Sequence, residues 1–344
     1  MSTANLDSAD LKAVTKGGLI REDVMEKIWD LSKIPLPLTD LIGTDVSRNS
    51  YKEWTIDALA TPDLTNANVD GADASGNNTV LGTRVGNQHQ ILDKVVRVSD
   101  RAQSSDLIGR ANELGYQLSR RQQEIKRDLE AIALSNQASV ADNGDSTAGK
   151  LGGLPSWIET SYSGGTKGGF STSTGLTVAR TLTTRRALTE TLVRDGVQTI
   201  YQNGGDASVL MSYPAVIRKI SEYLFSSSAR IATLMSDVVG AEKATAVGSV
   251  SVFVTDFGIL KMVPNRLQQI HKDSGGTNDC ADVFLIDPMY LSFSYLGGGV
   301  KVKDLARTGT ADNKQMTLDA TLIVHNEKAH GIIGDIDYTA SMTA

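Results

Sequence analysis

Between Asp100 and Ala138, apolar residues recur at spacings of three, four or seven: Leu107, Ala111, Leu114, Leu118, Ile125, Leu129 and Ile132. That spacing draws one apolar stripe along a helix. Oppositely charged neighbours at helical spacing occupy the other faces, Arg120 with Glu124, Glu124 with Arg127, and Lys126 with Glu130. Either Ser99 or Asp100 suits the N-cap, and the Asn143-Gly144 region ends the pattern. The spacing predicts a single helix of well over 30 residues, on the order of 50 Å long. That is about threefold the usual length in a globular domain, yet the stripe is too short and irregular to require a coiled coil.

The segments before this helix have little core of their own. An amphipathic run at Leu19, Val24, Met25, Ile28, Trp29 and Leu31 stops where Pro35 and Pro37 remove backbone donors, and an extended stretch follows to about Asn49. From Tyr51 to Ser99 the period becomes two. Trp54, Ile56 and Ala58 share one face of a strand, and Leu92, Val96 and Val98 share a face of another, with Ile91 and Val95 opposite. Between them, Thr61 to Gln90 is rich in Asn, Asp and Gly and poor in large apolar residues, a composition that builds no core. A lone two-stranded ribbon is marginal in water. A hairpin this long is therefore expected to lie along another surface, such as a second subunit.

After the helix, residues 141–175 carry nine glycines in a long loop. Compact patterning returns with a helix over 184–202, a buried strand over 208–212, a helix from Pro214 to about Phe225, and strands over 249–255, 259–263 and 283–286. Helices on a mixed sheet make an α+β unit. Beyond Gly297-Gly298-Gly299 come strands over 300–305, 316–324 and 331–336. These have only polar loops beside them, so they are expected to return to the long helix and enclose 183–297 as an insertion. With 32 glycines and only 7 prolines in 344 residues, the chain bends with glycine.

Composition and motifs exclude several chemistries. A net charge of −6 is the wrong sign for a protein that grips phosphates sequence-specifically. No apolar run approaches the ~18 residues of a membrane helix, and one cysteine, Cys280, forms no disulfide within the chain. Gly144 to Lys150 fits the G-x-x-x-x-G-K phosphate cradle, but Leu151 stands where the magnesium-ligating hydroxyl belongs, and a helix instead of a strand precedes it. Asn66-x-Asn68-x-Asp70-Gly71 opens like a calcium loop, but its twelfth position is Asn77, which offers no bidentate carboxylate. His325 and His330 are five apart and do not share a helical face as two zinc ligands would. No G-x-S-x-G turn occurs, and Cys280 sits in polar sequence with no partner motif. No catalytic residue, metal site or cofactor is expected.

The order of arm, extended hairpin, long helix, glycine-rich loop, inserted module and returning strands resembles the major capsid proteins of tailed double-stranded-DNA phages, the Hong Kong 97-like fold. The closer likeness to one phage capsid family rests on Val209-Leu-Met-Ser-Tyr-Pro214, on Val252-Phe-Val-Thr-Asp-Phe-Gly258 continuing to Val263-Pro-Asn-Arg266, on Phe284-Leu-Ile-Asp-Pro288, and on the T-L-I-V-H-N-E-K-A-H-G run from Thr321 to Gly331. It covers about 15–337.

The resemblance implies an N-terminal arm over 1–50, an extended loop over 51–99, a peripheral domain with its spine helix and glycine-rich loop over 100–182, an axial domain over 183–297, and return strands with a C-terminal tail over 298–344. It implies self-assembly into hexamers and pentamers of an icosahedral shell around phage DNA, with scaffolding, portal and decoration proteins as partners, no membrane, assembly in the host cytoplasm and residence in the virion. Intersubunit contacts are expected from Trp54, Ile56, Asn66, Asp70, Gly71, Leu92, Val96 and Val98. Bendable joints are expected at Gly144, Gly152, Gly153, Gly164, Gly165, Gly168 and Gly169, and at Gly297, Gly298 and Gly299. Arg120, Arg121, Lys126 and Arg127 form either an inward patch that meets DNA without specificity or the solvated face of the helix. Lys52 and Lys94 lie on the hairpin stems and not at its tip, which argues against covalent cross-linking. A cellular cargo-storing compartment built on the same shell fold is the alternative.

Overall fold

The computed structural model describes residues 35–71, 73, 81–105, 107, 112–226, 251–307 and 309–343. The amphipathic run from Leu19 to Leu31 lies outside them. In chain order, helix α1 (Pro37–Leu41) and strand β1 (Gly43–Ser47) precede β2 (Tyr51–Ile56), β3 (Thr83–Gln88) and β4 (Gln90–Ser99). Helices α2 (Asp100–Ser104) and α3 (Glu113–Ala133) lead to the short strands β5 (Ser161–Ser163), β6 (Gly169–Ser171) and β7 (Leu176–Val178). Then come α4 (Glu190–Gln202), β8 (Val209–Ser212), α5 (Pro214–Ser226), β9 (Val252–Thr255), β10 (Gly258–Pro264), β11 (His271–Lys272) and β12 (Asp279–Ile286). The chain returns through β13 (Leu291–Leu296), β14 (Lys301–Asp304), β15 (Ala311–Val324) and β16 (Gly331–Ile336).

Two sheets organise these elements. In the five-stranded sheet, β1 runs parallel to β13, while β13, β14 and β4 all pair antiparallel with the long β15. The seven-stranded sheet has the order β5-β16-β12-β8-β10-β9, with β11 paired to β12. One core joins the buried side of α3 (Ile125, Leu129, Ala133) to the five-stranded sheet and to one face of the seven-stranded sheet (Val209, Met211, Phe284, Ile286, Ile332). The opposite face of that second sheet (Leu210, Val283, Leu285, Ile333) packs with α4 and α5 through Val193, Val197, Val216 and Ile220. Alternation along β8 and β12 thus feeds two cores, which is why Val209–Ser212 and nearly all of Asp279–Ile286 are buried.

The long helix is shorter than its apolar stripe predicts. It is broken into α2 and α3, because Ser105 is extended (ψ 147°). Ser104 and Ser105 turn their hydroxyls back onto the carbonyls of Asp100 and Arg101 at 2.8 and 2.7 Å, which ends the first turn. Asn112 then opens a new helix by accepting the N–H of Gly115 at 2.9 Å. The 21-residue α3 is about 30 Å long.

The hairpin pairing also differs from expectation. The partner of β2 is β3, a strand hidden in the polar segment, in register from Tyr51↔Gln88 to Ile56↔Thr83. The Leu92–Val98 strand belongs instead to β4 in the five-stranded sheet. The last strands divide between the two sheets. Strand β13 joins the five-stranded sheet with β14 and β15, whereas β16 returns to the seven-stranded sheet between β5 and β12. Hydrophobic alternation identifies strands but not their partners.

Candidate assembly site

The stem of the extended loop is fixed to the subunit and its tip is not. Trp54 on β2 lies 5.4 Å, ring to ring, from the buried Trp157, which stacks on Phe170 at 5.5 Å. Tyr51 donates its hydroxyl to the Gly175 carbonyl at 2.7 Å. Ile56 is half-buried against the same core. Past Ile56 every described residue to Asp73 is exposed, including Asn66, Asp70 and Gly71, and the aliphatics stand in solvent: Leu59 is 100% exposed, Leu64 97% and Leu81 94%. From Asp57 to Asp73 the sequence holds four aspartates and no Lys or Arg. This is an acidic, aliphatic arm with no packing partner in its own chain among the described residues.

Leu92, Val96 and Val98, expected at intersubunit contacts, face inward. Val96 and Val98 are buried and Leu92 is partly buried, on the side of β4 that packs on α3. The exposed face of β4 carries Ile91 and Val95. Which face of the alternation points in is decided by pairing with β15.

The middle of the glycine-rich loop is a packed element and not a joint, whereas its start is exposed. Residues 151–158 are all buried. A Cβ at Gly152 would meet Thr177, and one at Gly153 would come within 2.1 Å of the Ser135 carbonyl oxygen. Gly164, Gly165, Gly168 and Gly169 are similarly hemmed in by Tyr162, Thr181, Val178 and Glu159. Close backbone approach, not bending, requires glycine here. Gly144 and the run Gly297, Gly298 and Gly299 are different, since all four take positive φ (72°, 77°, 91° and 97°) and all but Gly297, which faces the Lys301 side chain, have open space around them. The phosphate-cradle reading of Gly144–Lys150 also loses its donors, because Asn143 Oδ1 accepts the N–H groups of Asp145, Ser146 and Thr147 at 3.0, 3.0 and 2.8 Å.

The four basic residues of α3 do not form one face. At about 100° per residue, Arg120 and Arg127 share a side while Arg121 and Lys126 lie on two others. Arg120 sits over the Tyr116 ring at 5.8 Å, Arg121 pairs with Glu124, and Lys126 is exposed. Glu130 is no partner for Lys126. It is fully buried and accepts the N–H of Leu38 (3.1 Å), the N–H and hydroxyl of Thr39 (3.1 and 2.9 Å) and the side-chain amide of Asn265 (2.7 Å). One carboxylate thereby fixes α1, α3 and the end of β10 together.

A second buried polar node lies where the chain enters α4. Arg180 donates to both oxygens of Asp282 (2.7 and 2.9 Å) and of Asp335 (3.3 and 3.1 Å), and His271 Nε2 lies 2.9 Å from Asp335. Burial works against the Arg180 charge, but the two carboxylates outweigh it and hold the guanidinium protonated above its ordinary range. Burial alone would raise Asp335; the hydrogen bond from His271 and the charge of Arg180 prevail and keep it below the usual carboxylate range. The ligand atoms of His271, Asp282 and Asp335 are close enough for a metal ion, but Arg180 already bridges both carboxylates, so the node is an ion-pair junction. The sequence carried one signal for it. Asp282 and Asp335 each interrupt an apolar strand, where an aspartate persists only when paired.

Comparison with known proteins decides what this architecture belongs to. A model of the SU10 major capsid protein family matches residues 4–337. The chain belongs to that family. The major capsid protein of Escherichia phage Phieco32 is 43% identical to this capsid subunit over 108 residues, a match that spans 31% of each chain. Among solved structures, the capsid of the native GTA particle has a TM-score of 0.59 at 11% identity, covering 97% of this chain and 100% of that one. The Microbacterium phage Oxtober96 structure gives the same TM-score, identity and coverage. The SrpI encapsulin of Synechococcus elongatus PCC 7942 has a TM-score of 0.54 at 13% identity, covering 99% of both chains. At these identities the likeness is one of fold, the Hong Kong 97-like shell fold. Both the family and the α+β architecture accord with the resemblance read from the sequence.

Proposed function

We propose that this capsid subunit assembles into hexamers and pentamers of an icosahedral phage head enclosing double-stranded DNA. The observation that carries the reading is the anchored stem with an uncovered tip, in which Leu59, Leu64 and Leu81 are 94–100% exposed. Such a loop gains its packing from another copy, and a heterologous contact repeated by rotation closes into rings and a shell. Asn66, Asp70 and Gly71 at the tip make that contact, while Trp54 and Ile56 hold the stem. Gly297, Gly298 and Gly299 supply the joint that lets identical subunits occupy non-identical positions. Lys126, exposed and without an ion-pair partner among the described residues, meets packaged phosphates without specificity. Scaffolding, portal and decoration proteins complete the particle, and assembly takes place in the host cytoplasm.

Electron microscopy of purified protein, alone and with its scaffold, is expected to show shells or capsomers. A stable monomer under every assembly condition would overturn the reading. A cargo-storing compartment is the second reading, supported by the encapsulin likeness; a co-purifying cargo enzyme in place of DNA would favour it.

A further inference from the structure

The chain holds two Asn-Gly steps, Asn143-Gly144 and Asn203-Gly204, both exposed. In such a step the glycine nitrogen can attack the asparagine side-chain amide and close a succinimide ring, because no glycine Cβ hinders the approach. The surroundings of the two steps differ. Asn143 Oδ1 accepts the N–H groups of Asp145, Ser146 and Thr147 at 3.0, 3.0 and 2.8 Å, so negative charge building on that oxygen meets donors already aligned. The Gly144 N–H, whose proton must leave, donates to the Asp142 carboxylate at 2.8 Å. Asn143 Nδ2, the nitrogen that departs, is held only by Ser146 Oγ at 3.3 Å. Mutual hydrogen bonds between Val140 and Lys150, 3.0 Å in each direction, close the base of this loop. The Asn203 amide is tied the other way. Its Nδ2 donates to the Thr199 carbonyl at 2.7 Å, its Oδ1 accepts no hydrogen bond among the described residues, and the Gly204 N–H is spent on the Tyr201 carbonyl at 3.0 Å, which is no base.

We propose that Asn143 is a self-modification site, at which the fold drives conversion of the asparagine to aspartate and isoaspartate. Asp142 draws the proton from the Gly144 nitrogen as that nitrogen bonds to Asn143 Cγ. The Cγ–Nδ2 bond then breaks, and the proton leaves with Nδ2 as ammonia. Water opens the succinimide that remains. Attack at Cγ gives aspartate with the main chain restored; attack at the main-chain carbonyl gives isoaspartate, whose backbone runs through the former side chain. No redox change occurs, and water is the only co-reactant. Each conversion adds one negative charge at the exposed start of the glycine-rich loop. In the aspartate form the new carboxylate keeps the same N–H donors, now as charge-assisted hydrogen bonds, which favours the product.

The chemistry lies within one subunit, so its failure leaves the shell reading untouched. The test incubates the full-length protein near neutral pH and follows peptides covering both steps by mass spectrometry, with isoaspartyl methyltransferase labelling to count the rearranged product. In the folded protein Asn143 is expected to convert at least about tenfold faster than Asn203, a modest share of what one aligned oxyanion donor contributes in an enzyme. In denaturant the two rates should converge. Asp142→Ala, a change at an exposed position, should slow the folded-state conversion of Asn143 about tenfold and leave its rate in denaturant unchanged. Equal rates at the two steps in the folded protein would overturn the proposal. So would a difference that survives denaturant, which would assign it to local sequence, or an Asp142→Ala variant that converts at the native rate. Should that variant fail to fold, the folded and denatured native protein still decide the matter.

Discussion

The side-chain amide of Asn265 donates to the Glu130 carboxylate at 2.7 Å across 135 residues of sequence. Asn265 follows β10 and Glu130 lies in the last turn of α3, so this bond ties the seven-stranded sheet to the long helix. The same carboxylate also receives the backbone of Leu38 and Thr39. Helix α1, the long helix and the end of β10 are therefore held together through one carboxylate.

Replacing Glu130 with Ala leaves those donors buried and unpaired, at about 1–3 kcal/mol for each unsatisfied group. A loss of about 3 kcal/mol or more in unfolding free energy is expected, measured by denaturant titration of the dissociated subunit. Glu130→Gln keeps one acceptor and should lose less. A Glu130→Ala change of under about 0.5 kcal/mol, the scale of ordinary surface substitutions, would show the node to be dispensable.

Trp157 is buried between Trp54 and Phe170. Trp157→Ala should cost about 3–5 kcal/mol through the cavity it leaves. It should also loosen β2 and β3, because Trp54 loses its support. Limited proteolysis is expected to cut within 51–56 and 83–88 in the variant and only within the exposed tip in the native subunit.

Two glycine substitutions separate packing from turn geometry. Gly153→Ala drives a methyl against the backbone oxygen of Ser135 and should lower stability by about 3 kcal/mol. Gly298→Ala has open space but a φ of +91°, and should cost only about 1–2 kcal/mol. Equal thermal midpoints for the two variants would contradict the assignment of Gly153 to close packing.

His330 is fully buried and burial lowers it to about 4; its Nδ1 accepts the Asp287 N–H and its Nε2 faces the Tyr290 carbonyl. The folded state therefore binds this proton less readily than the unfolded chain does. The contribution is complete above about pH 6.5 and is lost as pH falls toward 4, reaching roughly 2–3 kcal/mol by pH 4.5. Unfolding free energies at pH 7.5 and 4.5 should show that loss, and His330→Gln should reduce the difference. An unchanged difference in the variant would assign the acid sensitivity elsewhere.

Deleting Asp63 to Val69 removes exposed tip residues that touch no core. The subunit should keep its circular dichroism and thermal midpoint, while shells form poorly or fall apart at lower denaturant. Intact shells of native stability would show that the tip is not the contact.

Elements with their own periodicity were legible in the chain. Strand β16 falls on Gly331–Ile336 and helix α5 begins at Pro214, as the pattern predicts. Strand β3 was not, because Thr83–Gln88 has a single large aliphatic, Val85, and gains its stability from pairing with β2 and from Asn87, whose amide reaches the Leu322 and Gly152 carbonyls at 2.8 and 3.2 Å. The break at Ser105 was hidden by the apolar stripe running through it. Glu130 read as a surface partner of Lys126, since i,i+4 spacing reports neighbours on a helix but not what packs over them.

What the sequence determined by itself is the set of strongly periodic elements, the existence of an extended loop without a core, and the shell family. These follow from local periodicity, composition and family motifs. The tertiary structure alone decided which strands pair, which face of β4 points inward, and that glycines 152 and 153 pack where bending was expected. It also brought Glu130 to Asn265 and gathered Arg180, Asp282, Asp335 and His271. Those outcomes depend on contacts between residues up to 249 positions apart, as in Gly43 beside Ser292, and a pairwise meeting at that separation leaves no period in the chain for a local pattern to report.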